Sequence, residues 1–326
     1  MAKFVGRGVN VGFGKETTRG TSVAPSSWFA KTSISFDDKM ETVVDEGNYG
    51  TIVDSTGHEV VKRFSEGEIM GSLGVNSISL PLYAMLGAVT TATASGTAKT
   101  HTMTLSESYQ SPSLTIAMDD PVQDKRFALG VINSMTIKVE PKKYVEVSMT
   151  FMGKQGVNSS ETVAFTEDYL LKATHTNILF ASDLAGLDVA VAGGTCIKSF
   201  ELTLERTLSE DECISSIAPS DYISTVFAIS RSMEVTYENE ADYKTKALTG
   251  TTQAMRISIL NGDVIIGGGT ASPELEIDLA KVGFTEWSRT VSTNEIVTQS
   301  VGFKGFYSIA DAKAIIARLT NTVASI

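Results

Sequence analysis

Two stretches of the sequence, "KTSISFDDKMET" (31–42) and "KSFELTLERTLSED" (198–211), spell nearly the same short strand about half a chain apart. Each begins with Lys, alternates apolar with polar residues and carries acidic residues toward its end. Side chains alternate between the two faces of a β-strand, so each stretch predicts a strand with one apolar and one polar face. The recurrence predicts two copies of one domain in a chain of 326 residues.

Four further pairs of segments recur in the same order, with a spacing that shortens along the chain. They are 9–13 with 176–180, 68–87 with 231–250, 111–116 with 272–277, and 145–153 with 297–305. Such self-similarity indicates a repeat architecture, although coincidental patterning of strand-rich segments remains the alternative. We expect the domains at 1–157 and 158–326, with the polar stretch 153–162 as the linker.

Most of each half is predicted to be β-strand. Apolar residues alternate over 135–139 and 145–151 around a "PKK" turn, which predicts a β-hairpin. Short helices are predicted at matching places, 79–87 and 238–250, each ending in Gly. The sequence therefore predicts a mainly β fold with one short flanking helix per copy.

A third helix is predicted near the C-terminus, over 308–321. Ser308 would be its N-cap, and it has no counterpart in the first half. Its apolar residues fall on roughly one helical face: Ile309, Ala312, Ile316 and Leu319.

Composition disfavours several classes of protein. A net charge of −11 argues against a protein that grips DNA phosphates. The two Cys, Cys196 and Cys213, have neither the spacing of metal ligands nor the density of a disulfide scaffold. No secretion signal or membrane span is recognisable in the sequence. We therefore expect a soluble product made in a cytoplasm.

No catalytic or metal-binding pattern is recognisable. The three His are scattered, the carboxylate clusters at 119–124 and 209–212 lack the spacing of a calcium loop, and the Gly-rich stretch 262–273 reads as a hairpin loop. We expect a structural protein without catalytic residues, metal or cofactor.

The chain resembles the tail tube proteins of long-tailed bacteriophages. The resemblance is carried by "VNVGFGKETTRGTSVAP" (9–25), "EGEIMGSLGVNSISLPLYAMLG" (66–87), "YVEVSMTFMGK" (144–154) and a long loop in each copy. It implies two tandem tail-tube-type β-sandwich or barrel domains, whose sheets join edge to edge into stacked rings around a lumen for DNA ejection.

The resemblance also implies the partners. Because each chain would supply two domains, three chains would complete a ring with pseudo-sixfold symmetry. The tube would meet the tape measure, tail tip and tail terminator proteins, with DNA only in transit and no membrane. Assembly would take place in the host cytoplasm, and the product would reside in the virion tail.

Two sets of site residues follow from this resemblance. The lumen lining would comprise Ser33, Ser35, Asp37, Glu201, Glu205, Glu234 and Glu238, unless these side chains face the outer solvent. Ring stacking would use the loop 45–59, with Asp45, Asn48, Tyr49, Ile52, Asp54 and His58, unless this loop is merely mobile.

Two other functions stay open at this point. Another virion component, such as a minor tail or tail terminator protein, would form one ring but no long tube. A β-sandwich carbohydrate-binding module would need exposed aromatic residues, and aromatic content is only 8%.

Overall fold

Antiparallel β-strands account for most of the computed structural model, which describes residues 3–47, 49–190 and 196–326. This confirms the predicted mainly β class. In the first half the strands are β1 (Asn10–Lys15), β2 (Ser27–Phe29), β3 (Lys31–Ile34), β4 (Asp37–Asp45), β5 (Gly57–Ser72), β6 (Gly87–Ser95), β7 (Ala98–Leu105), β8 (Leu114–Asp119), β9 (Lys125–Val139), β10 (Glu146–Gly153) and β11 (Val157–Asn158).

The second half has fewer but longer strands. They are β12 (Thr176–Ala181), β13 (Ile197–Asp211), β14 (Asp221–Thr236), β15 (Thr252–Leu260), β16 (Glu274–Thr290), β17 (Thr298–Phe306) and β18 (Ile315–Asn321). Short 3-10 turns lie at Gly6–Gly8, Ala173–His175 and Ala185–Val189. No helix in the described part of the chain is long and apolar enough to cross a membrane.

The two predicted short helices are present but differ in length. Helix α1 (Ser79–Leu86) follows β5, is almost wholly buried and ends at Gly87, whose φ is 98°. Helix α2 (Lys246–Thr249) follows a π-helical turn at Ala241–Thr245 and ends at Gly250, whose φ is 67°. Glycine adopts this left-handed conformation without a Cβ penalty, which explains the shared position of both helix ends.

The order of hydrogen-bonded strands is the same in both halves. In the first half it runs β1–β8–β9–β10–β5, with β3 and β4 both paired to β5. In the second half it runs β12–β15–β16–β17–β14–β13. Apolar side chains from both halves form one large buried cluster, in which Phe13 stacks on Phe151 with ring centroids 5.6 Å apart.

Irregularities in these ladders also fall at matching places. Asn133 is the extra residue of a bulge between β9 and β10, and Thr285 is the extra residue between β16 and β17. Val61 and Thr225 are the extra residues in the β4–β5 and β13–β14 hairpins. Bulges are specific features of a fold, so their recurrence aligns the two halves residue by residue.

In the described part of the chain two ladders join the halves, β9 with β13 and β7 with β18, and the first lies in the middle of a continuous sheet. The C-terminal part of β9 pairs with β10 on one side and with β13 on the other, from Val139 opposite Phe200 to Ser134 opposite Glu205. Across this ladder the hydroxyl oxygens of Thr136 and Thr203 lie 2.8 Å apart. The two halves therefore share a sheet.

The predicted C-terminal helix is wrong, because this segment forms strand β18. It lies between β16 of the second half and β7 of the first, and Leu319 is fully buried. Ser308 caps a turn through Asp311 instead of a helix, with 2.6 Å between their side-chain oxygens. The segment also has a counterpart, since β11 pairs with β9 as β18 pairs with β16.

Two predicted loops contain more structure than the sequence indicated. The stretch 45–59 is the tip and base of the β4–β5 hairpin, because Asp45 and Gly57 form its last ladder pair. The expected linker 153–162 includes β11 and stays on the first half, where Glu161 accepts a 3.0 Å hydrogen bond from Arg126 Nη2. The Gly-rich stretch connects β15 with β16, as predicted for a hairpin loop.

Candidate assembly surfaces

The sheet shared by the two halves has one polar face. On β13 and β9 it carries three directly opposed pairs: Glu201 with Lys138, Thr203 with Thr136, and Glu205 with Ser134. The alternate side chains, including Ile137, Leu202 and Leu204, are buried in the core. This alternation is what the opening sequence pattern predicted for β13.

The structure brings three of the predicted lumen carboxylates together. Glu201 and Glu205 lie on β13, and Glu234 lies on the neighbouring β14, all on the polar face. Glu238 lies outside this ladder, because β14 ends at Thr236.

The predicted lumen residues of the first half lie elsewhere in the sheet. Ser33 is on β3, Asp37 is on β4, and Ser35 lies between these strands with its amide bonded to the carbonyl of Glu68 on β5 at 2.8 Å. All three are exposed. They occupy the place that β13 has in the second half, next to β5 instead of β14.

Other charged residues on the polar face were missed by the sequence analysis. Acidic side chains outnumber basic ones here: Asp37, Glu66, Glu68, Glu146, Glu201, Glu205, Glu234 and Glu286 against Lys39, Lys138, Arg231 and Lys304. The signal for Glu66 and Glu68 was the same alternation, in "SEGEIM" (65–70). The face therefore has a net negative charge.

Arg231 reaches the polar face through an unusual backbone conformation. It pairs with Leu202 and Phe303, both buried, but its φ is 144°. The guanidinium donates to Thr203 Oγ1 at 2.9 Å and lies 3.3 Å from the Glu201 carboxylate. The positive φ thus turns a charged side chain away from the core.

Lys138 is the basic residue nearest the middle of this face. Its ammonium contacts Glu140 at 2.7 Å. This hydrogen bond, with weaker attraction from carboxylates including Glu201, raises the pKa of Lys138. The side chain therefore stays positively charged opposite Glu201.

Two strand edges flank this sheet without a ladder partner among the described residues. One is the edge of β4 that faces away from β5. The other is the edge of residues 286–290 of β16 that faces away from β17. Unpaired strand edges are templates for pairing with another chain.

The β4–β5 hairpin projects apolar side chains into solvent. Tyr49 is 64% exposed and Ile52 is fully exposed. Asp45 holds the base of the tip by accepting hydrogen bonds from the Gly47 amide, the Tyr49 hydroxyl and the Thr56 hydroxyl, and these bonds lower its pKa. Of the other predicted stacking residues, His58 pairs with Val44, Asp54 is exposed, and Asn48 lies outside the described residues.

The β13–β14 hairpin lies beside the β4–β5 hairpin. The Arg63 amide donates to the Ile217 carbonyl at 2.7 Å, and Lys62 contacts Glu210 and, at 2.9 Å, Glu212. Burial opposes the charge on Lys62, but the hydrogen bonds to both carboxylates outweigh it and raise the pKa of Lys62. This contact fastens one hairpin to the other at the junction of the halves.

Comparison with known proteins agrees with the sequence resemblance. The model of the phage tail tube protein family matches residues 6–314. A search of the curated proteins gave no match.

Proposed function

The chain belongs to the phage tail tube protein family, and from this premise we propose that three copies close into each ring of the tube. The protein is a structural component of the virion tail tube, the conduit for DNA ejection. In the proposed ring, residues 1–157 and 158–326 act as two tube domains, so that three chains supply six.

The shared strand order carries the trimer proposal. Both halves have the same succession of ladders with bulges at the same places, and β9 already pairs with β13 inside one chain. A heterologous contact of this kind closes into a ring when it is repeated by rotation. Each chain therefore contains one complete junction between tube domains, the β9–β13 ladder, and one edge for each of two further junctions with neighbouring chains.

The polar face of the sheet suits the lumen wall. Its acidic excess repels DNA phosphates, so DNA would slide through without binding. We assign Ser33, Ser35, Asp37, Glu201, Glu205 and Glu234 to this wall. Glu238, beyond the end of β14, would sit at its rim.

The β4–β5 hairpin suits contact between stacked rings. It is long, and its exposed apolar side chains would be covered by the adjacent ring. The contact residues would be Asp45, Asn48, Tyr49, Ile52, Asp54 and His58. Asp45 would hold the tip in the docking conformation through its hydrogen bonds.

The other proposed partners are the proteins that adjoin a tail tube in the virion. The ends of the tube would meet the tail tip and tail terminator proteins, and its lumen would hold the tape measure protein before DNA passes. Assembly would occur in the host cytoplasm, without cofactor or catalysis.

Electron microscopy of tubes built from the full-length chain tests the proposal. The expected result is stacked rings, each with three chains and pseudo-sixfold density. Rings of six chains would contradict the trimer, and single rings that never stack would favour a tail terminator role instead.

A further inference from the structure

We propose that the ring closes through a second antiparallel ladder, in which residues 34–39 of one copy pair with residues 286–291 of the next. This inference rests on the proposed ring and adds the partner segment and its register. Residues 37–39 and 286–290 belong to the two strand edges that carry no partner within the described residues of the chain, and residues 34–36 and 291 continue them.

The internal β9–β13 ladder supplies the template. The bulges at Val61 and Thr225 align β5 with β14 at an offset of 225 − 61 = 164. The bulges at Asn133 and Thr285 align β9 with β16 at 285 − 133 = 152. Asp45 and Asp211 end their hairpins at equivalent ladder positions, so β4 and β13 align at 211 − 45 = 166.

Transferring the template by these offsets fixes the register. The internal pairs run from Phe200 opposite Val139 to Glu205 opposite Ser134. Between two copies the corresponding pairs are Ile34 with Val291, Ser35 with Thr290, Phe36 with Arg289, Asp37 with Ser288, Asp38 with Trp287, and Lys39 with Glu286.

Charge complementarity supports this register. Lys39 and Glu286 are both exposed in the single chain and become directly opposed in the ladder. Oppositely charged side chains at opposed positions of an antiparallel pair attract each other. A slip by two residues would place Lys39 opposite Ser288 and leave Glu286 without this partner.

The hairpins supply an independent match. Inside the chain Lys62 contacts Glu210. The equivalent residues on the open sides are Val226 and Val44, which are 58% and 47% exposed. Val226 and Val44 would therefore meet between neighbouring copies, where an apolar contact would replace the ion pair of the internal junction.

Disulfide cross-linking in assembled tubes tests which residues of the two segments are directly opposed. In a background with Cys196→Ser and Cys213→Ser, Ser35→Cys is combined with Thr290→Cys, and the matched control combines Ser35→Cys with Ser288→Cys. Opposed Cβ atoms are close enough for a disulfide, whereas diagonal ones at about 7–8 Å are not. The opposed pair should give products of two and three chains on a non-reducing gel, and the diagonal pair should stay single.

Exchanging the charges of Lys39 and Glu286 is a second test of the register. Lys39→Glu or Glu286→Lys alone should raise the protein concentration needed for ring assembly by about fivefold, and the double variant should restore it. Lys313→Glu, an exposed position outside the ladder, should have no such effect.

The outcomes separate the two proposals. If tubes form but the diagonal pair cross-links, or neither pair does, the ladder is overturned while the tube function stands. A double variant no better than either single variant would likewise overturn the register. If the unsubstituted chain forms no ring at all, the proposed function fails and the ladder fails with it.

Discussion

Gly67 and Arg231 occupy the same place in the two halves of the chain. Their φ angles are 150° and 144°, and each lies opposite a buried phenylalanine, Phe151 or Phe303. A Cβ atom at Gly67 would lie 2.4 Å from the Cα of Phe36. The second half thus keeps a backbone conformation that suits glycine while carrying an arginine there.

This strain predicts an inverted order of stability at position 231. In an ordinary strand glycine is less stable than alanine by about 0.5–1 kcal/mol. Here the free energy of unfolding of Arg231→Gly should exceed that of Arg231→Ala by about 1–2 kcal/mol, because only glycine relieves the positive φ. Urea denaturation measures both, with Ser232→Gly and Ser232→Ala as the neighbouring pair that should keep the ordinary order.

Acid should loosen the attachment of the C-terminal strand. His101 is buried, with Nδ1 2.8 Å from Thr91 Oγ1 and Nε2 3.0 Å from the Val323 carbonyl. Burial lowers the pKa of His101 below 6.5, despite hydrogen bonds that favour the charged form.

The sign of the effect follows from this depressed pKa. The stability contribution is complete above about pH 6.5 and falls as pH drops toward the folded-state pKa, by up to about 1.4 kcal/mol per pH unit. Urea denaturation at several pH values should show a shallower slope between pH 7 and 5 for His101→Gln than for the unsubstituted chain. Equal slopes would contradict the prediction.

A C-terminal strand and a C-terminal helix predict different stability losses for substitutions at Leu319 and Ile309. Leu319 is fully buried while Ile309 is 88% exposed, although both belong to the same face of the helix that the sequence predicted. Leu319→Ala should lower the free energy of unfolding by about 3 kcal/mol, whereas Ile309→Ala should change it little. Similar losses for the two variants would indicate a helix packed on that face.

Reversing charge in the proposed lumen should hinder DNA without preventing assembly. The triple variant Glu201→Lys, Glu205→Lys, Glu234→Lys would bind phosphates where the wall now repels them. Virions carrying it should have tails of normal length but eject DNA more slowly, and added salt should partly relieve the delay. Glu274→Lys, on the N-terminal part of β16, is the comparison; an equal delay there would contradict the lumen assignment.

The junction between copies should accept the ion pair of the internal junction. Val44→Glu alone would place a carboxylate against Val226 and reduce ring assembly. Val44→Glu with Val226→Lys would recreate the contact between Glu210 and Lys62, and should restore assembly in low salt. Ring yield is measured by sedimentation. If the double variant forms no more rings than Val44→Glu alone, Val44 and Val226 are not in contact between copies.

The sequence predicted what depends on local pattern and missed what depends on distant partners. Alternation sufficed for β13 and for the hairpin at the "PKK" turn, and the Pro and Gly positions sufficed for α1. The pairing of 111–116 with 272–277 was wrong, because these segments lie in β8 and β16, whereas the strand order makes β15 the counterpart of β8. β18 was missed because its partners, β7 and β16, are far away in sequence, and its apolar spacing also fits a helix. The unusual φ of Arg231 has no signal in its own neighbourhood. The sequence pairing of 68–87 with 231–250 is one residue out of register and aligns Arg231 with Glu68, whereas the ladders align it with Gly67.

The ladder between β9 and β13 has a kinetic consequence for building the proposed ring. Because both of its strands belong to one chain, that junction forms at an effective concentration set by the tether and not by the amount of protein in the cell. A ring of three chains then requires two productive collisions and one closure, where six separate domains would require five collisions and one closure. Covalent fusion would thus shorten the slow, concentration-dependent part of tube growth.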